Sequence, residues 1–222
     1  ARSPAEAQGV VFLAEQDPDA RRRGLGGVMV SNGRDVALTR PDGSWQLSVQ
    51  PGDSIFVIKP PHFKAPLARG CIPQIAYSPA SGEGLPTSID FARVPETEAS
   101  NFQALLLTDT QPDSDEELDF VRDDIIAGLL NRPAAFGISH GDVVGDALHL
   151  YPRYQELLSV TGIPWHHCAG NHDIDRSAIA DEASRETWKR AFGPRRYAFQ
   201  YASATFFILD NVEYFGRADG RY

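Results

Sequence analysis

The sequence predicts a multidomain protein in which an all-β sandwich over residues 1–97 is followed by an α/β segment over residues 98–222. In the first part, short apolar stretches alternate with glycine turns such as Asn32-Gly33 and Asp42-Gly43, a pattern typical of antiparallel strands. In the second part, apolar strands alternate with helical patterns, which favours parallel βαβ units. The acidic stretch 95–98 is interpreted as the linker.

The N-terminal part is predicted to contain strands at 10–14, 27–31, 36–39, 44–49 and 55–59. Trp45, Leu47 and Val49 alternate with polar neighbours, so the strand that contains them is expected to bury one face. This part shows no cluster of potential ligands, and we interpret it as a folding and spacing unit. Carbohydrate binding, or shaping of the rim of a neighbouring active site, are the functional alternatives.

The C-terminal part has recognisable helix boundaries. Ser114 and Glu117 form a capping-box pattern at the start of a helix that ends before Pro133. Further helices are predicted at 152–160 and 181–192, and paired strands at 197–201 and 204–209. The predicted order is therefore βαβαβ followed by two strands.

Polar residues follow three of the apolar strands. Asp109 and Gln111 follow the run 105–107, Asp142 and Asp146 follow 134–138, and Asn171, His172 and Asp173 follow 165–168. Open α/β sheets bind ligands beyond the carboxyl ends of their strands, so we expect these residues to gather at one edge. Carboxylate and amide oxygens suit hard divalent cations, whereas imidazole suits zinc and iron. The three stretches therefore predict a two-metal site.

At these residues the sequence resembles the calcineurin-like metallophosphoesterases, whose signature is an Asp-x-His, a Gly-Asp-x-x-x-Asp and a Gly-Asn-His-Asp. Gly141 to Asp146 and Gly170 to Asp173 match fully, whereas Gln111 stands where most members have His. Branches of the family with an extra N-terminal β domain can have Gln there. Gly27 to Trp45 is similar to the prealbumin-like modules of carboxypeptidase regulatory domains. The resemblance implies a metallophosphoesterase domain with a β-sandwich core flanked by helices, of which residues 98–222 would form the N-terminal part.

The resemblance also implies the metal ligands. Asp142 would bridge two metal ions, and Asp109 would bind the first of them. Gln111 would bind the first metal or hold a water near it, and Asn171 would bind the second metal. The cofactors implied are two divalent or trivalent ions, which could be manganese, iron or zinc.

Four further residues are candidates for supporting roles, three of them within the motifs and one, His140, outside them. His172 would act as the electrostatic partner of the substrate or as general acid to the leaving oxygen, and Asp173 would orient His172. Asp146 is expected to support the loop as a hydrogen-bond acceptor. His140, which stands beside Asp142, is a candidate for contact with the substrate or with a ligand.

The implied activity is hydrolysis of a phosphoric ester at a dinuclear metal centre, with a small phosphorylated substrate. Monoester, diester and pyrophosphate all fit. The alternative is a catalytically degenerate phosphoesterase scaffold that serves as a binding or structural protein. In the family, later histidines complete the metal sites, but none of the six histidines here follows His172. We therefore expect these residues to be a portion of a longer chain, which alone binds metal weakly and does not hydrolyse phosphate esters.

The composition limits the kinds of partner and the location that the chain can have. A net charge of −9 argues against nucleic acid, because affinity for phosphate chains comes chiefly from Lys and Arg. No apolar run approaches the roughly 20 residues of a membrane helix. The start at Ala1 is compatible with a removed signal peptide or with a trimmed chain, and the first of these favours a periplasmic or secreted location.

Two cysteines and a histidine pair invite other interpretations. Cys71 and Cys168 are predicted to lie in different domains, so a disulfide is not implied, and Cys168 is interpreted as a buried structural thiol. His166 and His167 are adjacent on a predicted strand and so point to opposite faces, which prevents them from chelating one ion together.

Overall fold

The computed structural model describes residues 5–14, 23–79 and 82–215, and the structure is mostly β-sheet with a few short helices. Residues 1–4, which include the start that suggested export, lie outside this part. Two compact units are present. The first comprises Ala1–Pro66, Gln74–Ser100 and Arg196–Phe207, and the second comprises Leu67–Pro73, Asn101–Arg195 and Ile208–Tyr222. A domain boundary after residue 97 stays a prediction.

The strands are, in order, β1 (Ala5–Leu13), β2 (Arg23–Gly24), β3 (Met29–Ser31), β4 (Val36–Leu38), β5 (Ser44–Val49), β6 (Ile55–Val57), β7 (Phe63–Lys64), β8 (Leu67–Ala68), β9 (Ile72–Pro73), β10 (Ala76–Tyr77), β11 (Phe91–Pro95), β12 (Ala104–Leu107), β13 (Phe136–His140), β14 (Trp165–Cys168), β15 (Arg196–Tyr201) and β16 (Ala204–Leu209). The helices are α1 (Asp115–Phe120), α2 (Ala127–Leu129), α3 (Tyr151–Ser159), α4 (Asp181–Ser184) and α5 (Glu186–Phe192). A π-helix at Val121–Ile126 joins α1 to α2, and a 3₁₀-helix at Leu148–Leu150 precedes α3.

The first unit contains two sheets that share a core. In one sheet, β1 pairs with β2 and β5 in antiparallel fashion and with β11 in parallel, and β7 pairs with β11. The other sheet has the order β10-β6-β3-β4. Val11 and Trp45 from the first sheet pack in one cluster with Val30 and Val57 from the second. This shared core is what a sandwich requires.

Strand β5 confirms the predicted alternation. Trp45, Leu47 and Val49 are buried, while Gln46 and Ser48 between them are exposed. Successive side chains of a strand point to opposite faces, so the apolar set faces the core. The Trp45 and Phe91 rings lie 6.2 Å apart between centroids in that core.

The second unit is built on a parallel sheet with the order β12-β13-β14. The helical segment 115–129 connects β12 to β13, and α3 connects β13 to β14, so the predicted βαβαβ order is confirmed. Ser114 caps α1 by accepting a hydrogen bond from the Glu117 amide at 3.2 Å. The Glu117 carboxylate accepts from the Asp113 amide instead of from Ser114, one residue earlier than in a standard capping box.

The helix predicted at 181–192 is two helices. The chain leaves helical geometry at Arg185, which is fully buried and pairs with Asp210 at 2.8 Å.

The prediction that the two cysteines lie in different domains is wrong. Cys71 belongs to the second unit, as Cys168 does, and packs in its core with Leu158 and Trp165. Both thiols are free, and burial raises the pKa of the Cys168 thiol. Among the described residues, no helix is both long and apolar enough to cross a bilayer.

Candidate metal centre

The carboxyl ends of three parallel strands meet at one edge of the second unit. Leu107 of β12 stands opposite Ser139 of β13, and Ser139 stands opposite His167 of β14. The polar residues that follow each strand therefore leave the sheet at the same level. This is the edge at which open α/β sheets place their ligands.

Backbone hydrogen bonds hold the loops after β12 and β13 together. The Asp109 amide donates to the Gly141 carbonyl at 3.3 Å, and the Gln111 amide donates to the Asp142 carbonyl at 3.2 Å. The Thr110 hydroxyl donates to the Val143 carbonyl at 2.9 Å. These bonds fix the positions of Asp109, Gln111 and Asp142 relative to one another.

The Gln111 side chain lies between two carboxylates. Its Nε2 donates to Asp142 Oδ2 at 3.1 Å and to Asp109 Oδ1 at 3.3 Å. The amide group therefore offers positive hydrogens where a cation would offset both negative charges. Rotation of the carboxamide by half a turn would bring Oε1 to the same place, which suits a metal ligand.

The loop after β14 approaches the other oxygen of Asp142. The His172 amide donates to Asp142 Oδ1 at 2.9 Å. A Cβ on Gly170 would lie 2.1 Å from that oxygen, so only glycine allows this approach. Asn171, between these two residues, is partly buried, and its carboxamide makes no hydrogen bond within the described residues. Asp142 is thus contacted through Oδ2 from the Gln111 side and through Oδ1 from the Asn171 side.

Four residues of this edge have left-handed backbone conformations. The φ angles are 52° at Asp109, 43° at Gln111, 49° at Asp142 and 73° at Asp146. A side chain in this region costs roughly 1–3 kcal/mol and persists only where surrounding contacts impose it. Such strain clusters at functional sites, and it coincides here with the residues that the sequence motifs select.

His172 is oriented by Asp146, and the prediction that Asp173 has this role is wrong. His172 Nδ1 lies 2.9 Å from Asp146 Oδ1, which also accepts from Arg176 Nη2 at 2.9 Å. The expected role of Asp146 as an acceptor fits these contacts. Arg176 was missed, because nothing in its local sequence distinguishes it from a surface arginine.

Asp173 instead ties the loops together from within. It is fully buried and accepts hydrogen bonds from the Gly170 amide at 2.9 Å, the Val143 amide at 3.2 Å and the Tyr151 hydroxyl at 3.0 Å. Burial raises the pKa of Asp173 to about 6, with a further contribution from the nearby Asp142 charge, although the three hydrogen bonds oppose the rise. Asp173 therefore supports the loops that carry Asp142 and Asn171.

Three other histidines differ in burial. The His140 side chain is exposed, and its role as a contact of the substrate or of a ligand stays a prediction. His166 and His167 are buried in the sheet. The His167 ring packs on Phe192 at 4.3 Å between centroids, and burial lowers its pKa to about 3.

The donor set at this edge fits a hard cation. Two carboxylates and two carboxamides supply oxygen ligands, which manganese and magnesium prefer over the imidazole and thiolate ligands typical of zinc. No cluster of three or more His, Cys, Asp or Glu side chains placed to hold a metal is found in the described parts of the chain. The amides of Gln111 and Asn171 are therefore needed to complete any ligand set here.

Comparisons with known proteins add one distant likeness. No protein-family model matches the sequence, and no curated protein matches it. Among solved structures, the chain is similar to purple acid phosphatase PPD1 from yellow lupin (Lupinus luteus) seeds, with 12% sequence identity and a TM-score of 0.39. The match covers 93% of this chain and 39% of the lupin chain. This chain therefore spans about two fifths of the length of the lupin phosphatase.

Proposed function

We propose that this chain carries the metal-binding strand edge of a hydrolase that cleaves phosphoric esters. The observation that supports this best is the position of the Gln111 carboxamide within hydrogen-bond distance of both Asp109 and Asp142. Two carboxylates at adjacent strand ends repel one another, and a cation between them would offset that repulsion.

Asp142 is suited to the bridging role, because its two oxygens face different parts of the site. Oδ2 faces Gln111, which also contacts Asp109, and Oδ1 faces the loop that carries Asn171. Asp109, Gln111 and Asp142 would hold one ion, and Asp142 and Asn171 would hold the other. The bound ions would supply Lewis acidity and offset the charge on phosphoryl oxygens.

His172 would handle the proton of the leaving group. The Asp146 carboxylate, whose Oδ1 lies 2.9 Å from Nδ1, would accept a hydrogen bond from that nitrogen, and a ring protonated on both nitrogens could then donate its Nε2 proton to a leaving oxygen. The substrate class is a small phosphorylated compound, and monoester, diester and pyrophosphate substrates all suit this chemistry.

The first test is Mn²⁺ binding to the 222-residue chain and to Asp142→Asn, measured by isothermal titration. Removal of the shared anionic ligand should weaken Mn²⁺ binding by more than about 100-fold. Even residues that only hydrogen-bond to metal ligands change metal affinity by roughly 10- to 100-fold when they are mutated. The matched control is Asp123→Asn, which removes an exposed carboxylate paired with Arg122 and should leave Mn²⁺ binding unchanged. Equal affinity in wild type and Asp142→Asn would refute the metal site.

Hydrolysis of p-nitrophenyl phosphate by the same samples tests the second part. Turnover that is lost in Asp142→Asn and kept in Asp123→Asn would support the hydrolase. Asp142-dependent binding without turnover even in a longer chain would favour the degenerate scaffold.

A further inference from the structure

The first unit carries a groove on the outer face of the sheet that contains β1. A cavity of about 520 Å³ lies beside β11 and the end of β1, and a second cavity of about 250 Å³ lies beside the middle of β1 and β5. Ser88 lines both cavities, so they adjoin. The described residues that line them all belong to the first unit, so the groove is independent of the metal centre proposed above. The larger cavity alone has the size of a small-molecule site.

The alternation of side chains along the strands determines which residues face this groove. In β1, Ala7 and Val11 are buried in the core of the sandwich, whereas Gln8 is exposed. Gln8 stands opposite Gln46 of β5, which is also exposed. The Ile89 amide donates to the Gln8 carbonyl at 2.9 Å, so the segment before β11 continues the sheet beside β1. The outward-facing side chains of these three neighbouring stretches therefore form the floor of the groove.

The smaller cavity presents carboxamide oxygens on two neighbouring strands. Gln8 Nε2 donates to the Thr87 carbonyl at 3.3 Å, and Gln46 Nε2 donates to the Glu6 carboxylate. Both carboxamides are thereby oriented, and Oε1 of each accepts no hydrogen bond within the described residues. Two such acceptors suit a ligand that is rich in hydroxyl groups.

The larger cavity is lined by aromatic rings. Phe12 and Tyr77 are partly buried in its wall, and Gln74 in the same wall is exposed. The ring of a tyrosine is apolar and its hydroxyl is polar, so Tyr77 can contact both the apolar and the polar parts of one ligand. A sugar ring has this dual character, because its C–H groups are apolar and its hydroxyls are polar.

The charges in the lining of the groove cancel. Among the described residues of the lining, the charged side chains are Arg40 and Asp90. Asp90 accepts hydrogen bonds from the Val10 amide at 3.1 Å and the Ser88 hydroxyl at 2.6 Å, and Arg40 donates to the Ser44 hydroxyl at 3.3 Å. A charged ligand would therefore meet no net opposite charge, whereas a neutral polar ligand loses nothing by this arrangement.

We propose that this groove binds a neutral oligosaccharide, with one sugar ring against Tyr77 and hydroxyl groups that donate to Gln8 and Gln46. The proposal takes up the carbohydrate-binding alternative for the N-terminal part of the chain. A proline-rich peptide also suits an aromatic wall. Proline has no amide hydrogen, however, so such a peptide would leave the two carboxamide oxygens without donors.

Isothermal titration with cellohexaose, xylohexaose and maltohexaose tests this proposal. At least one of these neutral sugars should bind saturably at one per chain. Hexagalacturonate, which carries a carboxylate on each ring, should bind at least about tenfold more weakly, because the groove has no net positive charge and the chain has a net charge of −9. Gln46→Ala should weaken binding of the neutral sugar by roughly two- to tenfold, the range for loss of one neutral hydrogen bond. The matched control is Gln50→Ala, at an exposed position of the same strand end outside the lining, which should leave the affinity unchanged.

A second measurement needs no variant. In a ¹H–¹⁵N spectrum of the wild type, the side-chain amide resonances of Gln8, Gln46 and Gln74 should shift with the bound hexasaccharide, and those of Gln50 should not. The proposal would be overturned if none of the three sugars bound saturably at millimolar concentration, or if binding occurred without these shifts. Unchanged affinity in Gln46→Ala, or equal or tighter binding of hexagalacturonate or of a decaproline peptide, would overturn it as well.

Discussion

Carboxylates at two places in the second unit differ in their hydrogen-bond partners. Asp210 is buried, and its oxygens accept hydrogen bonds from Arg185 Nε at 2.8 Å, Arg195 Nε at 2.7 Å and the Val212 amide at 3.0 Å. Within the described residues, the carboxylates of Asp109 and Asp142 at the strand ends are linked by the neutral Gln111 amide, which donates to both. Arginines thus pair with Asp210, whereas no arginine pairs with Asp109 or Asp142 in the part of the chain that the structure describes.

This difference indicates what each group is for. Asp210 pairs with Arg185 and Arg195, and Arg195 also pairs with Asp181, so each charge of this network has an opposite charge beside it, and the network contributes to holding the helices and the end of β16 in place. The strand-end carboxylates keep their negative charge available, and the backbone strain at Asp109 and Asp142 shows that the fold imposes their positions. The proposed cation site requires both properties, whereas a structural network requires neither.

The largest effect is expected when the internally satisfied network is broken. Asp210→Asn leaves the buried Arg185 without a counter-charge, so the free energy of unfolding should fall by about 3–5 kcal/mol. Urea unfolding followed by circular dichroism measures this change. Asp123→Asn, which breaks an exposed ion pair, is the control and should have no measurable effect. Similar stabilities for the two variants would mean that Asp210 is not a structural carboxylate.

The next effect concerns His167, a buried group that the fold keeps neutral, and the pH dependence of stability that results. The pKa of His167 is lowered to about 3 by burial, while in the unfolded chain it returns to about 6.5. As the pH falls from about 6.5 towards 3, His167 becomes protonated in the unfolded chain but stays neutral in the native chain. Stability is therefore lost by up to about 1.4 kcal/mol per pH unit.

His167→Leu should remove this part of the pH dependence. The variant and the wild type are compared by urea unfolding between pH 6 and pH 4.5, with His149→Leu, at an exposed position, as the control. Parallel pH profiles for wild type and His167→Leu would show that His167 is protonated in the native state.

Features set by local contacts were predicted from the sequence, and features set by distant contacts were not. The Ser114 cap and the alternation along β5 were predicted because each depends on neighbours within a few residues. The left-handed conformations of Asp109 and Gln111 depend on hydrogen bonds to Gly141 and Asp142, about 30 residues away, and no local propensity indicates them.

The same reasoning explains the error at His172. Asp173 was chosen because it is adjacent in sequence, but it is buried beneath the loops, where it accepts hydrogen bonds from Gly170, Val143 and Tyr151. The acceptor for His172 is Asp146, which lies 26 residues earlier in the chain. The motif selects both carboxylates, but which group each of them contacts depends on residues that are distant in sequence, so only the structure assigns those contacts.

The smallest expected effect separates the two kinds of carboxylate most directly. Without metal, Asp109→Asn should leave the melting temperature unchanged or slightly higher, because it removes one of two like charges that the fold brings together. With Mn²⁺ present, the wild type should melt at a higher temperature, since an ion that binds only the native state stabilises it by mass action. Asp109→Asn should lose most of that increase, whereas Asp123→Asn should retain it. If Mn²⁺ raised the melting temperature of Asp109→Asn as much as that of the wild type, the stabilising ion would bind elsewhere, and the strand-end carboxylates would need a different explanation.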